Sequence, residues 1–369
     1  MKLVVDCRYI RTDGRHDGIS RYSAGIVTAL AKRAAGSPEH ELTMLISSEK
    51  QLELLPDAPW ELASAATSPR EPLVALQVNR LKPDVVFTPM QTMGSLGRRY
   101  RLVVTLHDLI YYRHRTPPRE FAWWMRLLWR LYYLAWWPQR LLLNGADSVV
   151  TVSETTKRLM REHRLTRRPI DVVYNASDDP VGERAEAAAS RAVPTARTLV
   201  YMGSFIGYKN VDTLLRAMAF LPDHELHLMS RISPEERTRL ERIAPGARLV
   251  FHNGASDEEY ADALLGATAL VSTSLDEGFG IPVIEAMRLG TPVVISDIPI
   301  FEEIGGAAAI LVDPHDPAAV AAAIRRLDEP GEWLARSAAS LHQAQLFSWD
   351  ASAEVLWKVL EKVASTPKR

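Results

Sequence analysis

The chain has 369 residues, enough for two domains with full cores, and its 47% hydrophobic and 24% charged residues are those of a soluble globular protein. A formal net charge of −1 excludes a general attraction to nucleic acid or acidic membranes. The single cysteine, Cys7, excludes an internal disulfide framework and fits a reducing cytosol. The first residues run directly into a strand without an apolar region of signal-peptide length. No uninterrupted apolar run reaches spanning length, so the expected location is cytoplasmic.

Residues 3–6 are predicted as the first strand. The loop after it, 11–20, is polar and holds Gly14 and Gly18, and 19–31 reads as an amphipathic helix. Strand, glycine loop and helix form the opening unit of a doubly wound domain. Residues 42–46, 84–88 and 102–106 read as further buried strands. The last leads into His107 and Asp108, and a side chain there points at the crevice where open α/β sheets bind ligands. Taken alone, His107 also fits a structural histidine hydrogen-bonded by Asp108.

Residues 119–143, REFAWWMRLLWRLYYLAWWPQRLLL, hold five of the nine tryptophans. The segment reads as one helix, ended or kinked at Pro138, with Arg126 and Arg130 relieving an apolar surface. A helix apolar on every face is normally buried. So many Trp and Tyr beside Arg also suit a membrane interface, and both readings stay open here.

A strand at 148–152 is followed by Ser153 as a helix N-cap, and 171–174 closes an N-terminal domain, 1–178. Residues 179–197 lack strong periodicity and read as a linker. A second domain, 198–346, opens with a strand at 198–202. The loop Gly203-Ser204-Phe205-Ile206-Gly207-Tyr208-Lys209-Asn210 and a helix at 211–219 follow. A glycine loop carrying a lysine before a helix suits diphosphate binding. Strands at 225–229 and 248–252 lead into turns that hold Arg231 and Asn253-Gly254-Ala255. Residues 257–265 and 316–327 read as helices, and 308–312 as the last strand. The tail, 347–369, is a terminal helix.

The densest stretch is 269–297. A strand at 269–273 runs into Asp276-Glu277-Gly278-Phe279-Gly280, then a helix from Pro282 through Arg288 that Gly290 is placed to end, then a strand at 291–295. The N–H groups of Phe279, Gly280 and Ile281 point out of a helix start and suit anions or sugar hydroxyls. Glu277 in the loop and Glu285 one turn into the helix can both face the crevice. Either acid alone is as well read as a cap or a solvated first-turn residue.

Glu277 and Glu285, seven residues apart within EGFGIPVIEAM, resemble the E-x7-E motif of the family 4 retaining glycosyltransferases. The match extends through Gly290–Val294, Glu302, Glu303 and Gly305. The resemblance implies a GT-B fold: two Rossmann-like doubly wound domains facing across a cleft, with a C-terminal helix crossing back to the first. It implies transfer of a hexose from a nucleotide diphosphate sugar with retention. By resemblance the donor is first GDP-mannose, second a UDP-sugar, and the acceptor a glycan or a lipid-linked glycan. His107 then faces the donor sugar, and Lys209 holds the leaving diphosphate. Glu277, Gly278, Phe279, Gly280 and Ile281 hold the sugar, and Glu285 the ribose. Gly18, Gly203, Ser204, Arg231, Asn253 and Ala255 complete the donor site, and Arg21, Tyr22 and Asp108 lie toward the acceptor. Relatives carry Arg where Ser204 and Tyr208 stand, and glycine in the Ser230 loop, so Arg231 is the candidate substitute for a missing cation. No D-x-D triplet occurs, and neither a metal nor another cofactor is expected. The alternatives are a GT-B sugar epimerase and a catalytically weak nucleotide-sugar-binding scaffold. Peripheral contact with the inner membrane face through 119–143 is a further expectation.

Overall fold

In the computed structural model, residues 1–12, 18–117, 122–178, 183–191, 194 and 197–366 are described. Gly14, residues 119–121 and part of 179–197 lie outside them. The chain divides into two compact units, Met1–Ala176 with Ser348–Arg369, and Ser177–Phe347.

The first unit holds seven strands: β1 Lys2–Asp6, β2 Glu41–Ile46, β3 Trp60–Leu62, β4 Val85–Thr88, β5 Arg101–Leu106, β6 Ser148–Thr151 and β7 Ile170–Val172. They pair in parallel in the order β3-β2-β1-β4-β5-β6-β7. The second unit holds β8 Thr198–Tyr201, β9 Glu225–Leu228, β10 Arg248–Phe251, β11 Ala269–Ser272, β12 Val293–Ser296 and β13 Ile310–Val312. Their order is β10-β9-β8-β11-β12-β13, also parallel. Both sheets are Rossmann-like and doubly wound. In each, the order reverses beside the first strand, at β1/β4 and at β8/β11, and ligands of such sheets sit at that point. The central strands are buried on both faces, as parallel sheets covered by helices require.

The second unit packs Leu199, Tyr201, Leu226 and Val271 against Leu214, Leu215, Ile324 and Trp333 of its covering helices. Within 179–197, residues Glu183–Ser190 are helical. Arg191 stacks on Trp333, 4.5 Å from guanidinium to ring centroid. It also donates to the carbonyls of Leu264, Leu265 and Ala267 at the end of the helix Asp257–Gly266. Burial lowers its pKa to about 10.

In the first unit the C-terminal helix Trp349–Ala364 packs on Gly18–Ala35. Gly25 is required there, because a Cβ would stand 2.2 Å from the Trp349 ring. Ser352 Oγ donates to the Tyr174 carbonyl at 2.7 Å, and Trp357 is fully buried.

The single helix predicted over 119–143 is two, Trp123–Tyr132 and Trp137–Gly145. Pro138 lies in the first turn of the second. There its missing N–H costs nothing, whereas in a continuous helix its ring would clash with the carbonyl one turn back. The break therefore falls before the proline.

Asp147, between the second of these helices and β6, accepts from Arg98 Nη1 at 2.6 Å, Arg101 Nη1 at 2.7 Å and the Leu102 amide at 2.9 Å. Burial opposes its ionisation. The Leu102 amide and the two guanidinium groups outweigh that and hold the carboxyl below the usual aspartate range. The ionised form thus stabilises the fold above the unfolded-state pKa of about 4, and that contribution fades as pH falls through the lower folded-state value. Asp147→Asn is expected to lose roughly 1.5–3 kcal/mol at about pH 7. In urea denaturation the gap to wild type narrows by about pH 3.5; a gap independent of pH would refute the ionic role.

Candidate functional site

The second unit builds its candidate site at the β8/β11 switch point. After β8, Tyr201 Oη donates to the Ser204 carbonyl at 2.8 Å, shaping the Gly203 loop. A Cβ at Gly203 would lie 2.9 Å from that same Oη. Ser230, after β9, accepts from the Gly203 amide at 3.0 Å. The serine that departs from the family pattern therefore props the loop. Ser204 is exposed. A 3-10 turn, Gly207–Lys209, then leads through Asn210 into the helix Val211–Ala217.

After β11 the chain turns through Thr273 and Ser274 to Glu277. Lys209 Nζ lies 2.6 Å from Glu277 Oε1, with side chains 16% and 13% exposed. Ser274, fully buried, donates to the same oxygen at 2.8 Å. Lys209 and Glu277, 68 residues apart, are thus one cluster.

Gly280 precedes the helix Ile281–Arg288 with φ +99°, a backbone that only glycine adopts readily. A Cβ there would also press on Phe301 and Ile304. Pro282 falls in the first turn. Phe279 is buried edge-on against Phe347, with centroids 5.9 Å apart, so it serves the loop through packing. Gly278 and Glu285 are half-buried. At the far end, the Gly290 amide donates to Met287 and the Thr291 amide to Ala286, with Gly290 at φ +66°. This is the Schellman pairing that a left-handed glycine permits. Arg288 of the last turn donates to the carbonyls of Ala344 and Phe347, fixing the helix Glu332–Ala344.

Asn253, with φ +56°, accepts from the Ile232 amide at 3.1 Å, and the Gly254 and Ala255 amides both donate to the Met229 carbonyl. The loops after β9 and β10 are thereby joined. Arg231 is exposed and lies over Gly254, where a Cβ would meet its Cγ at 2.5 Å.

In the first unit, His107 Nε2 is 2.7 Å from the Pro89 carbonyl. That oxygen can only accept, so the proton sits on Nε2. Tyr22 meets the His107 ring edge-on at 4.9 Å. Asp108 accepts from the Ile110 amide at 3.0 Å, which starts the helix Ile110–Arg113. Gly18 is exposed at the first turn of its helix and Arg21 is half-buried one turn on.

The tryptophan-rich helices carry two aromatic layers. An inner one includes Tyr112 stacked on Trp136 at 3.7 Å, Trp136 on His163 at 4.1 Å, and Trp129 against Tyr133 at 4.5 Å. An outer one faces solvent: Trp123 is 78% and Trp137 67% exposed, and Trp124, Leu127, Leu128, Leu131, Leu134 and Leu141 are exposed with them. No residue of Trp123–Tyr132 is buried. The core reading of this segment therefore fails for its outer face. Among the described residues, no helix is long and apolar enough to cross a membrane.

Sequence reasoning missed Asn210, Thr273 and Ser274. All three lie in or beside flagged segments, Asn210 directly after Lys209 and Thr273 and Ser274 four and three residues before Glu277, but no sequence pattern assigned them a role.

Two family descriptions match the chain: Glycosyltransferase Family 4 over residues 17–179, and Glycosyl transferases group 1 over residues 183–336. The MMP alpha-(1→4)-mannosyltransferase of Mycolicibacterium hassiacum is 28% identical over 286 residues, covering 74% of this chain and 68% of that protein. The serotype-specific mannosyltransferase WbdA of Escherichia coli is 26% identical, covering 100% of this chain and 47% of that protein. The chain spans about half the length of most of the curated relatives it matches. The structure of Anabaena HepE in complex with UDP and glucose superposes with a TM-score of 0.71 at 17% identity, covering 98% of this chain and 100% of that one. The E-x7-E loop and helix, the two Rossmann-like sheets and the paired family matches converge: this chain belongs to the family 4 glycosyltransferases of GT-B fold.

Proposed function

We propose that the chain transfers a hexose, with retention, from a nucleotide diphosphate sugar to a glycan or lipid-linked acceptor, with mannose from GDP-mannose as the donor. The observation that carries this reading is the Lys209–Glu277–Ser274 cluster at the β8/β11 switch point. It puts a cation for phosphate and an acid for sugar hydroxyls side by side. The mannosyltransferase relatives support the choice of mannose. The UDP and glucose named for the Anabaena protein support a UDP-sugar as second choice.

In the proposed reaction the bond between the anomeric carbon and the leaving phosphate oxygen breaks. The acceptor oxygen bonds to that carbon on the same face, and the acceptor proton passes to the leaving phosphate. Lys209 spends one of its three N–H donors on Glu277. The others meet the departing diphosphate, where charge develops most. Glu277, with the amides around Gly280, holds sugar hydroxyls, and Glu285 holds the ribose. By resemblance His107 serves the sugar, whereas Tyr22, expected toward the acceptor, is fully buried and backs the His107 ring instead. Charge neutralisation by Lys209 and the helix start leaves no step that calls for a metal ion.

Lys209→Ala is expected to lower turnover by on the order of 10²–10³ while the protein still folds. Near-native turnover in the folded variant would remove Lys209 from the mechanism. Glu285→Gln is expected to weaken binding of free nucleotide diphosphate, and Glu277→Gln to lower transfer with nucleotide affinity retained. Calorimetry beside a transfer assay separates them, and equal loss of nucleotide affinity in both would overturn the division of roles.

The enzyme works in the cytoplasm, peripheral to an anionic membrane surface, in the same proposal. Support comes from the outer layer of Trp123, Trp124, Leu127, Leu128 and Leu131, with Arg126 and Arg130 on the same helix. Trp favours the headgroup region, and each basic side chain near an anionic surface adds about 1 kcal/mol. A contiguous apolar surface of this kind marks an interaction site. Wild type is expected to float with anionic liposomes at low salt, and Trp123→Ser/Trp124→Ser to stay behind. Wild type remaining in the soluble fraction, or forming a dimer that the double variant abolishes, would refute membrane docking.

A further inference from the structure

Asn210 is one of four described non-glycine residues with positive φ, at φ 50° and ψ 38°. Asparagine tolerates this region better than most residues, but glycine would do so at lower cost. The side chain explains the choice. Its Nδ2 donates to the Thr273 carbonyl at 3.0 Å and to the Pro314 carbonyl at 2.7 Å, and its Oδ1 accepts from Thr213 Oγ1 at 3.1 Å. Its own carbonyl accepts from Thr273 Oγ1 at 2.8 Å. One residue earlier than Lys209, the Tyr208 carbonyl accepts from the Leu275 amide at 2.7 Å. The neighbours of Lys209 on both sides are thus tied to the neighbours of Ser274 on both sides. Lys209 and Ser274 then meet on Glu277.

We propose that Asn210 is a positioning residue for the leaving diphosphate, acting as a latch that holds the Lys209 turn against the β11 loop. The proposal rests on the assignment of Lys209 to the diphosphate. The latch sets where the ammonium stands before any ligand arrives, so binding costs no reordering of the loop. Without the side chain the turn keeps its chain path and its backbone ties at Tyr208 and Asn210, but loses the hydrogen bonds to the Thr273 and Pro314 carbonyls that fix it against the loop.

The test uses GDP against GMP, and UDP against UMP, in calorimetry on the full chain. Only the diphosphates carry the second phosphate that Lys209 addresses. Lys209→Ala measures how much of the preference for diphosphate comes from the ammonium. Asn210→Gly keeps the positive φ and removes every side-chain tie. It is expected to reduce the diphosphate preference about tenfold, the scale of one or two lost hydrogen bonds, and to lower kcat, with monophosphate affinity unchanged. Thr273→Val removes one tie and leaves position 210 untouched, and a smaller loss in the same direction is expected. It keeps the test decisive if the glycine variant does not fold. If Lys209→Ala loses the preference while Asn210→Gly and Thr273→Val keep it, the latch is wrong and the lysine assignment survives. If Lys209→Ala keeps the preference, both fall. A lowered melting temperature with wild-type preference in the position 210 and 273 variants would mark a purely structural role and likewise overturn the proposal.

Discussion

The second unit is arranged around one constraint, that a lysine from the β8 loop and a glutamate from the β11 loop stand 2.6 Å apart in a largely desolvated place. Such a pair is a poor way to stabilise a fold. Exposed pairs are worth about 0–1 kcal/mol, and in buried ones desolvation offsets most of the Coulomb gain. Its cost is met by hydrogen bonds: Ser274 on the carboxylate, and the Asn210–Thr273 and Tyr208–Leu275 ties on the loops. Charge held ready by rigid surroundings is what a site needs when negative charge must move onto a leaving group. The glycine at 280 and the left-handed turn at 290 serve the same end, fixing both ends of the helix that carries Glu285.

The tryptophan-rich helices meet a different constraint. Their inner aromatics, Tyr112, Trp129, Tyr133 and Trp136, are used up by ring contacts with one another and with His163. The outer residues Trp123, Trp124, Leu127, Leu128 and Leu131 are exposed instead. An amphipathic helix normally puts water on its second face; here the second face is apolar as well, the feature on which the proposed membrane docking rests.

Most of the two sheets was legible, because parallel strands covered on both faces are short apolar runs between turns, as at β4, β6 and β12. The three-residue β3 was not, since Trp60, Glu61 and Leu62 are all exposed and pair only with the edge of β2. The ends of the helix Ile281–Arg288 were legible from Pro282 and Gly290, residues whose backbone preferences are local. The orientation of 119–143 was not, because an apolar pattern records affinity for a nonpolar surrounding and not which surrounding the fold supplies. Asn210 was opaque for the same reason: its partners Thr273 and Pro314 lie 63 and 104 residues away. Glu277 and Lys209 were each visible through the family motif, but their meeting was not.

Spare hydrogen-bonding capacity separates this cluster from another charged group that composition alone would rank above it. In the first unit Arg8 is buried against two carboxylates. Its Nε and Nη2 reach both oxygens of Asp6, its Nη1 and Nη2 reach both oxygens of Glu71, and Nη1 also reaches the Ser64 carbonyl. All five donors are spent. Burial opposes the charge on Arg8, but the hydrogen bonds and charge of Asp6 and then of Glu71 prevail and raise its pKa. Glu71 in turn accepts the Gly94 amide at 3.0 Å. With every donor of Arg8 committed and its side chain fully buried, this network holds the β1 end to the 64–94 segment. Lys209, by contrast, gives one donor to Glu277 and retains two, at the point where the sheet order reverses.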